Sequence, residues 1–369
     1  MLLSAISTAL LVIFAAVLLG WASEALEKFV APGLALALLA FLQTLPEYTV
    51  EAVIAWSRNT HLMVANLTGS LRLLLGFGWP MIFIIAAVVH GIRTRKILTK
   101  LELNPHQSLE TLFLMPAVIY FTFIWFKKTM TPVDGIILIS MFLVFIKVIS
   151  KTKVGDEEEI ENGDMPRVVK KIVQLPAKKR NAGIIALFVV GGAAILLVAH
   201  PFVESLKALA VSLGVSEFLF IQWVAPFISE FPEKTTAFIW ASRVTKATTG
   251  MMNMVSSNLN QWMLLAGSLP LIFSISSGAY STIVFDAFQR EEIILTILQT
   301  AMVLACMWDA KVTWWEVFLI FGLWIIGFFF PAERHYIIYA HLAAFIIIVI
   351  VSFIMQPVPE IWKKARRAI

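Results

Sequence analysis

Apolar runs about twenty residues long recur along this 369-residue chain, and they constrain its fold more than any other feature. The hydrocarbon core of a bilayer is about 30 Å thick, so an α-helix needs about 20 consecutive apolar residues to cross it. Hydrophobic residues make up 59% of the chain and charged residues 14%, against about a quarter in soluble domains. The sequence therefore predicts an all-α polytopic membrane protein rather than a soluble enzyme.

The charged breaks between these runs predict eleven transmembrane helices. Two runs exceed the length of one span, and a proline in each marks the expected bend, at Pro80 and Pro270. The predicted helices cover 2–21, 32–57, 62–92, 110–126, 132–150, 183–205, 215–242, 250–287, 291–308, 313–331 and 335–355.

The distribution of Lys and Arg predicts the orientation in the membrane. Of the 29 basic residues, 20 fall in connectors on one side and 6 on the other. Cytoplasmic connectors carry the excess of Lys and Arg, so the N-terminus is expected outside and the C-terminus in the cytoplasm, most simply at the plasma membrane. The net charge of +5 comes from these short connectors, so no nucleic-acid partner is expected. No protein partner is indicated.

One polar segment, 151–182, divides the chain. It is too short for a packed domain and is interpreted as a cytoplasmic linker between two transmembrane repeats, 1–150 and 183–331. Residues 332–369 then form an additional helix and a basic cytoplasmic tail. The acidic run at 156–161 is either a solvated surface or a regulatory cation site.

An internal repeat links the two halves. The Pro-Glu pair at 46–47 returns at 232–233, an offset of 186, and Asn66-Leu-Thr-Gly-Ser70 returns as Asn253-Met-Val-Ser-Ser257 at an offset of 187. Each predicted repeat holds five helices, an odd number, so the second copy enters the membrane upside down. Inverted repeats of this kind place substrate sites near the bilayer midplane on broken helices.

Four carboxylates fall inside two of the predicted helices. Glu47 and Glu51 share one helical face, as do Glu230 and Glu233. A charge at mid-membrane costs about 2.5 to 3.5 kcal/mol, so such residues are rare without a function. One interpretation is structural pairing with Arg72 and Lys234; the other is an ion site, because two bases leave two negative charges unbalanced.

The polar side chains around these acids carry oxygen, and neither sulfur nor imidazole is among them. Hard oxygen donors favour Ca²⁺, Na⁺ or another hard cation over a transition metal. The predicted cation site comprises Glu47, Glu233, Thr44, Ser70, Ser229, Ser257, Glu230, Gln43, Asn66, Asn253 and Gln261.

These motifs resemble those of the cation/calcium exchanger superfamily, whose members include sodium/calcium and calcium/proton antiporters. Its two alpha repeats each carry a Leu-Pro-Glu stretch and a downstream Gly-Asn-x-x-Gly-Ser-Asn stretch. The counterparts here are Gln-Thr-Leu-Pro-Glu at 43–47 with Ala-Asn-Leu-Thr-Gly-Ser-Leu at 65–71, and Ser-Glu-Phe-Pro-Glu at 229–233 with Asn-Met-Val-Ser-Ser-Asn at 253–258.

The resemblance implies a role for each matching residue. Glu47 and Glu233 would be the central acidic ligands, with hydroxyl or carbonyl ligands from Thr44, Ser70, Ser229 and Ser257, and Asn66 and Asn253 would be polar helix-packing residues. The chain departs from the family pattern at Gln43, Glu230, Leu71, Leu74 and Gln261, which leaves the transported ion open.

The predicted function is a secondary antiporter that exchanges Ca²⁺, or a similar hard cation, for Na⁺ or H⁺ by alternating access. Ions are its substrates, the bilayer is its surroundings, and no cofactor is expected. Zinc-protease, serine-hydrolase, phosphate-loop and dinucleotide motifs are absent from the sequence, so an enzyme is not predicted. The alternatives are a monovalent Na⁺/H⁺ antiporter, a non-transporting ion-binding scaffold or sensor, and a channel.

Overall fold

The fold is almost entirely helical. The computed structural model describes residues 2–103, 105–151, 166–212, 214, 220–355 and 359–368. Its helices are α1 (Leu2–Leu26), α2 (Pro32–Gln43), α3 (Leu45–Trp56), α4 (Thr60–Leu73), α5 (Trp79–Thr94), α6 (Pro105–Lys127), α7 (Pro132–Ile149), α8 (Arg167–Val173), α9 (Ala177–Ser212), α10 (Ala225–Ser229), α11 (Phe231–Ala241), α12 (Ala247–Asn260), α13 (Ala266–Ser277), α14 (Ala287–Cys306), α15 (Trp314–Phe329), α16 (Arg334–Met355) and α17 (Glu360–Ala368).

Eight stretches in the described part of the chain are long and apolar enough to cross a membrane, and three shorter apolar helices accompany them. The shorter ones cover Gly33–Gln43, Phe220–Ser229 and Trp314–Phe329. Most of the large apolar side chains on α16 face outward, as lipid contact requires, whereas Trp79, Trp240 and Trp262 are fully buried. The count of eleven transmembrane helices stays a prediction.

Two of the predicted helices are interrupted at corresponding positions. The run predicted at 32–57 breaks at Thr44 into α2 and α3, and the run predicted at 215–242 breaks at Glu230 between α10 and α11. A proline follows each break, at Pro46 and Pro232, because proline lacks a backbone N–H and fits the first turn of a new helix. The breaks are 186 residues apart, as the predicted repeat requires.

Two long helices contain a segment of π-helix. Leu74–Gly78 separates α4 from α5, and Gln261–Leu265 separates α12 from α13, again at an offset of 187. A third π segment, Phe220–Val224, precedes α10. Such segments free backbone groups and occur frequently at functional sites. The two prolines predicted as bend points lie shortly after these segments: Pro80 follows the first, and Pro270 lies within α13 after the second.

The helix predicted at 250–287 is shorter than its apolar run. It ends at Ser277 because Gly278 adopts a left-handed conformation with φ of 68°, which closes the helix. The chain then turns to a short strand, β3 (Ile283–Val284). Apolar composition alone therefore overestimated this helix by about ten residues.

Two short antiparallel ladders connect the halves. At one end of the bundle β1 (Lys100–Glu102) pairs with β4 (Lys311–Thr313), and at the other β2 (Thr129–Met130) pairs with β3. The connectors predicted on the Lys- and Arg-rich side contact one another. Lys246 Nζ forms an ion pair with Glu27 Oε2 at 3.0 Å, and Lys364 Nζ donates to the Leu103 carbonyl at 2.7 Å. We call this end the basic end.

Two short helices cover the basic end. Val169 of α8 packs against Ala25 of α1 and Ile184 of α9. The other, α17, buries Ile361 and Ala365 and packs against the start of α6. The acidic run at 156–161, predicted to lie in the linker, is outside the described residues.

Candidate cation site

The two helix breaks bring the four predicted carboxylates into the interior. Glu47 lies in the first turn of α3 and Glu233 in the first turn of α11. Together with Glu51 and Glu230 they are fully shielded from solvent, with an exposed fraction of 0% each. A buried carboxylate is stable only if hydrogen bonds, opposite charges, protons or bound cations compensate it, so the partners of each acid determine what the site can bind.

Glu47 is bonded across the two halves. Its Oε2 accepts a hydrogen bond from the Ser229 hydroxyl of α10, and its Oε1 accepts one from Asn66 Nδ2 of α4 at 2.7 Å. The same amide donates to Glu51 Oε1 at 3.0 Å. No basic side chain pairs with Glu47 or Glu51 within the described residues. The structure thus gathers Glu47, Ser229 and Asn66, and the salt-bridge interpretation of Glu51 is not seen.

Glu230 has a different set of partners. It forms an ion pair with Lys234 one turn along the chain, at 2.6 Å. It also accepts hydrogen bonds from the Ser70 hydroxyl of α4 and from Gln261 Nε2 at 3.0 Å. The structural interpretation therefore holds for Glu230 and Lys234, which together are electrically neutral.

Glu233 is the least satisfied of the four acids. Neither carboxylate oxygen has a hydrogen-bond partner on another described residue, although the charges of Glu47, Glu230 and Lys234 act on it. Buried polar atoms are nearly always paired, so such an atom needs a specific explanation. Further predicted site residues also have buried oxygens without a partner: Asn66 Oδ1, Asn253 Oδ1, Ser257 Oγ and Gln261 Oε1, together with Glu51 Oε2.

Two sets of hydrogen-bonded side chains lie beside the acids, one around Gln43 and one around Thr44. Asn253 Nδ2 donates to Gln43 Oε1 at 3.2 Å, and Gln43 Nε2 donates to Thr236 Oγ1 at 2.7 Å. The Thr44 hydroxyl donates to carbonyls of its own helix and accepts from Asn260 Nδ2 at 2.7 Å. Thr44 is therefore near the break, but its hydroxyl is not bonded to a carboxylate.

The chemistry of these unpartnered atoms fits a hard cation. They are carboxylate, amide and hydroxyl oxygens, which are the ligands that Ca²⁺ and Na⁺ take. In the described residues no three His, Cys, Asp or Glu side chains lie close enough to hold a metal ion together. A cation here would consequently depend on amide, hydroxyl and main-chain oxygens as much as on the glutamates.

One predicted pairing is wrong. Arg72 of α4 is bonded to Glu292 of α14 rather than to any of the four acids. Arg334 of α16 shares the same glutamate, with its Nη2 2.7 Å from Glu292 Oε1. With Arg72 engaged elsewhere, Lys234 alone offsets the four carboxylates, so three negative charges rather than two remain to be balanced.

Of the buried acids that the sequence analysis missed, two lie at the edges of predicted helices. Glu110 and Glu292 each stand at or next to the first residue of a predicted helix, where an acid is easily taken for a flanking surface residue. Both are buried, with exposed fractions of 0% and 1%. The distance of each from the end of its apolar run gives no sign of burial. Their burial becomes visible only in the tertiary packing of α6 and α14.

Comparison with known proteins identifies the family. The family model for sodium/calcium exchanger protein matches residues 1–151 and 183–332. The chain belongs to the sodium/calcium exchanger protein family. The match confirms the resemblance to the cation/calcium exchanger superfamily that the sequence motifs indicated. No curated protein matches the chain.

Solved structures of two exchangers share this fold. The H⁺/Ca²⁺ exchanger CAX is 31% identical to this chain and superposes with a TM-score of 0.81. The match covers 100% of this chain and 90% of the CAX chain. The sodium-calcium exchanger NCX_Mj, in crystals soaked with Na⁺ and Sr²⁺, is 17% identical over 89% of this chain and 98% of its own, with a TM-score of 0.64. The predicted all-α membrane transporter fold is confirmed.

Proposed function

We propose that this protein is a secondary antiporter that exchanges Ca²⁺, or a similar hard cation, for H⁺ at a site between Glu47 and Glu233. The observation that carries the proposal is the fully buried Glu233 carboxylate, which has no partner on another described residue beside the similarly buried Glu47. Family membership supports cation antiport. The 31% identity with an H⁺/Ca²⁺ exchanger over the whole chain supports H⁺ as the counter-ion.

The coupling follows from the charge of the site. Glu230 and Lys234 offset each other, which leaves Glu47, Glu51 and Glu233 to be compensated. One Ca²⁺ offsets two of these charges, and protons on the same oxygens offset them equally well. An empty site would carry uncompensated charge through the low-dielectric interior, so only the loaded forms can reorient.

A change of hydrogen bonding accompanies cation binding in this proposal. Ser229 and Asn66 now donate to Glu47, an arrangement suited to a site without a cation. Rotating the Asn66 amide presents Oδ1, which has no partner, and rotating the Ser229 hydroxyl presents its lone pairs. The same side chains can therefore stabilise the bare carboxylate and coordinate the ion.

Alternating access is assigned to the two long helices α1 and α9, which pack along each other. Thr236 Oγ1 of α11 donates to the Ala16 carbonyl of α1 at 3.3 Å, so α1 crosses the helix that carries Glu233. At the basic end Glu24 of α1 accepts from Arg243 at 2.7 Å and from Trp240 Nε1 at 2.5 Å. Sliding of α1 with α9 would break these contacts and open the basic end.

The membrane placement is part of the proposal. We expect the basic end to face the cytoplasm of the cell, with the N-terminus outside, because 20 of 29 basic residues lie in its connectors. The inverted repeat is supported by the matching helix breaks and π segments. Inorganic cations are the proposed partners, and no cofactor is assigned.

The central test is the flux of the variants Glu47→Gln and Glu233→Gln in proteoliposomes. Each keeps the shape of the side chain and removes the negative charge, so Ca²⁺ uptake driven by a pH gradient should fall at least about 100-fold, since losing one ionic ligand costs several kcal/mol. Glu102→Gln, at an exposed glutamate of β1, is the matched control.

The same assay separates the alternatives. Flux that persists in both glutamine variants contradicts the proposal. A Na⁺ gradient that drives Ca²⁺ uptake in place of a pH gradient assigns Na⁺ as the counter-ion, and a pH-driven Na⁺ flux without Ca²⁺ transport indicates a monovalent antiporter. Flux without a counter-ion indicates a channel, and thermal stabilisation by Ca²⁺ without flux indicates a scaffold.

A further inference from the structure

A fifth buried carboxylate lies outside the proposed cation site. Glu110 is in the second turn of α6 and has an exposed fraction of 0%. Its Oε2 accepts a hydrogen bond from the Ser256 hydroxyl of α12 at 2.6 Å, and its Oε1 has no hydrogen-bond partner. Among the side chains that the structure describes, which do not include those of residues 105–107, no Lys, Arg or His nitrogen lies within 4.0 Å of it. A glutamate this deeply buried is expensive to keep ionised without a cation.

The backbone of α2 closes the remaining side of Glu110. A Cβ built on Gly33 would lie only 2.8 Å from Glu110 Oε1 and 2.4 Å from Ile149 Cδ1. The carboxyl group therefore packs against a helix turn that has no side chain, which leaves no space there for a hydrated metal ion. The ligand that fits such a carboxylate is a proton.

The charged residues around α6 do not compensate Glu110. The packed helices α2 and α12 contain none. The helix α14 carries Arg290, Glu291 and Glu292. Of these, Glu292 is bonded to Arg72 and Arg334, and Glu291 lies 3.6 Å from Arg334. Lys147 is the charged residue in the last turn of α7. The charged residues of α17 are Glu360, Lys363, Lys364, Arg366 and Arg367. Lys363 pairs with Glu360, and Lys364 donates to the Leu103 carbonyl.

The charge that acts on Glu110 is that of another acid. Glu27, just after α1, repels a negative charge on Glu110. Glu27 is paired with Lys246 at 3.0 Å and belongs to the basic end. Glu110 is therefore close enough to the basic end for the charge of Glu27 to act on it.

The helix α12 carries further polar side chains between Glu110 and the proposed cation site. Ser256, which holds Glu110, is adjacent to Ser257, a predicted ligand whose hydroxyl has no partner. One turn away, Asn253 is bonded to Gln43 beside the helix break. Hydrogen-bonding side chains thus occur on successive turns from Glu110 to the proposed cation site.

We propose that Glu110 is a second proton-binding residue, which carries protons between the central glutamates and water at the basic end through the Ser256 hydroxyl. Ser256 gives its proton to Glu110 and takes one from the side of the cation site, and Glu110 gives its proton to water. Each transfer breaks one O–H bond and forms another, so Glu110 and Ser256 end each cycle unchanged. The inference rests on the proposed H⁺/Ca²⁺ exchange.

Two fluxes of Glu110→Gln in proteoliposomes test this role. Ca²⁺ uptake driven by a pH gradient needs protons to reach the central site, and it should slow at least about tenfold, a modest effect for loss of a proton-transfer group. Exchange of radiolabelled Ca²⁺ for unlabelled Ca²⁺ at equal pH needs no proton and should be unchanged. Glu102→Gln, the exposed glutamate at the same end, should change neither flux.

The outcomes distinguish this proposal from the proposed function. If Glu110→Gln slows both fluxes equally, Glu110 has a structural role. If it slows neither flux, Glu110 has no role in transport. Either result overturns the proposal. If the wild type exchanges Ca²⁺ for Ca²⁺ but its flux does not respond to a pH gradient, the protein is still an antiporter, and the proposed proton role of Glu110 is contradicted. A wild type with neither flux contradicts the proposed function itself.

A second variant and a spectroscopic readout cover a failure of Glu110→Gln to fold. Ser256→Ala retains the carboxyl group but removes its hydrogen-bond partner, and it should slow the pH-driven flux alone. In infrared difference spectra on Ca²⁺ addition, the wild type and Ser256→Ala should show, beside the band of the central glutamates, an additional protonated carboxyl band that Glu110→Gln lacks. A band of equal size in Glu110→Gln overturns the proposal.

Discussion

At the scale of single residues, the Glu230–Lys234 pair makes the two halves of the site chemically unequal. At an offset of 186 the corresponding positions are Thr44 and Tyr48. There the partner is an amide: the Tyr48 hydroxyl donates to Asn260 Oδ1 at 2.8 Å, and Asn260 Nδ2 donates to Thr44 at 2.7 Å. One break is thus stabilised by an ion pair, and the other by neutral hydrogen bonds.

The pair predicts the effect of removing one partner. Lys234→Met leaves Glu230 buried without its cation, which should destabilise the protein by about 3 to 5 kcal/mol. The double variant Glu230→Gln with Lys234→Met removes both charges and should cost less. Thermal unfolding of the purified protein in detergent measures both. A single variant as stable as the double variant contradicts the prediction.

The sequence predicts residues of the site as far as local patterns reach. Glu47 and Glu233 stand out because each follows a proline within an apolar run, and the repeat pairs them. The partner of Arg72 could not be found in this way. Glu292 is 220 residues away, and no spacing rule connects positions that meet only when α4 packs on α14. The structural interpretation therefore pairs Arg72, like Lys234, with the four central acids.

At the scale of helices, the π segment Phe220–Val224 packs closely against α4. A Cβ on Gly69 would lie 1.9 Å from the Gln222 carbonyl oxygen, closer than any real contact. Gly69 immediately precedes Ser70, which is bonded to Glu230. The missing side chain thus lets α4 and the segment before α10 approach at the level of the site.

Gly69→Ala should therefore be destabilising. The clash is with backbone, which cannot rotate away, so we expect a loss of about 1 to 3 kcal/mol, as for overpacked cores. Gly322→Ala on α15 is the matched control, because nothing lies within 4 Å of its added Cβ, and it should be neutral or stabilising. Equal melting temperatures for the two variants would contradict the close packing.

Helix ends were harder to predict than helix existence. The sequence marks the breaks at Thr44 and Glu230 through Pro46 and Pro232, whereas hydropathy gives no sign of the π segment at Leu74–Gly78. The run at 250–287 stays apolar beyond Gly278, so composition could not mark where the helix stops. Apolar length predicts that a segment lies in the membrane, whereas its breaks and ends depend on single residues such as Pro46, Pro232 and Gly278.

At the scale of the whole molecule, the two ends of the bundle differ in charge, and this difference can be tested directly. Cys306 is the single cysteine of the chain and is buried, so thiol reagents should not label the wild type. Lys363 at the basic end is half exposed, and Tyr280 at the opposite end is 66% exposed. Each can carry an introduced cysteine.

Lys363→Cys and Tyr280→Cys should be labelled from opposite sides. The excess of basic residues predicts that a membrane-impermeant maleimide reaches position 280 in intact cells and position 363 only in inverted vesicles. The reverse pattern means that the orientation is wrong, and labelling of both positions from one side contradicts the topology. Unlabelled wild type in both preparations is the control.

The strand pairs join the two halves at both ends of the bundle. β1 and β2 belong to the first half of the chain, whereas their partners β4 and β3 belong to the second. During synthesis the first half of the chain leaves the ribosome with both strand edges open, and these edges close only when residues 283–313 arrive. A chain truncated before that point would carry unpaired backbone at each membrane surface, which chaperones and proteases recognise in unfinished proteins.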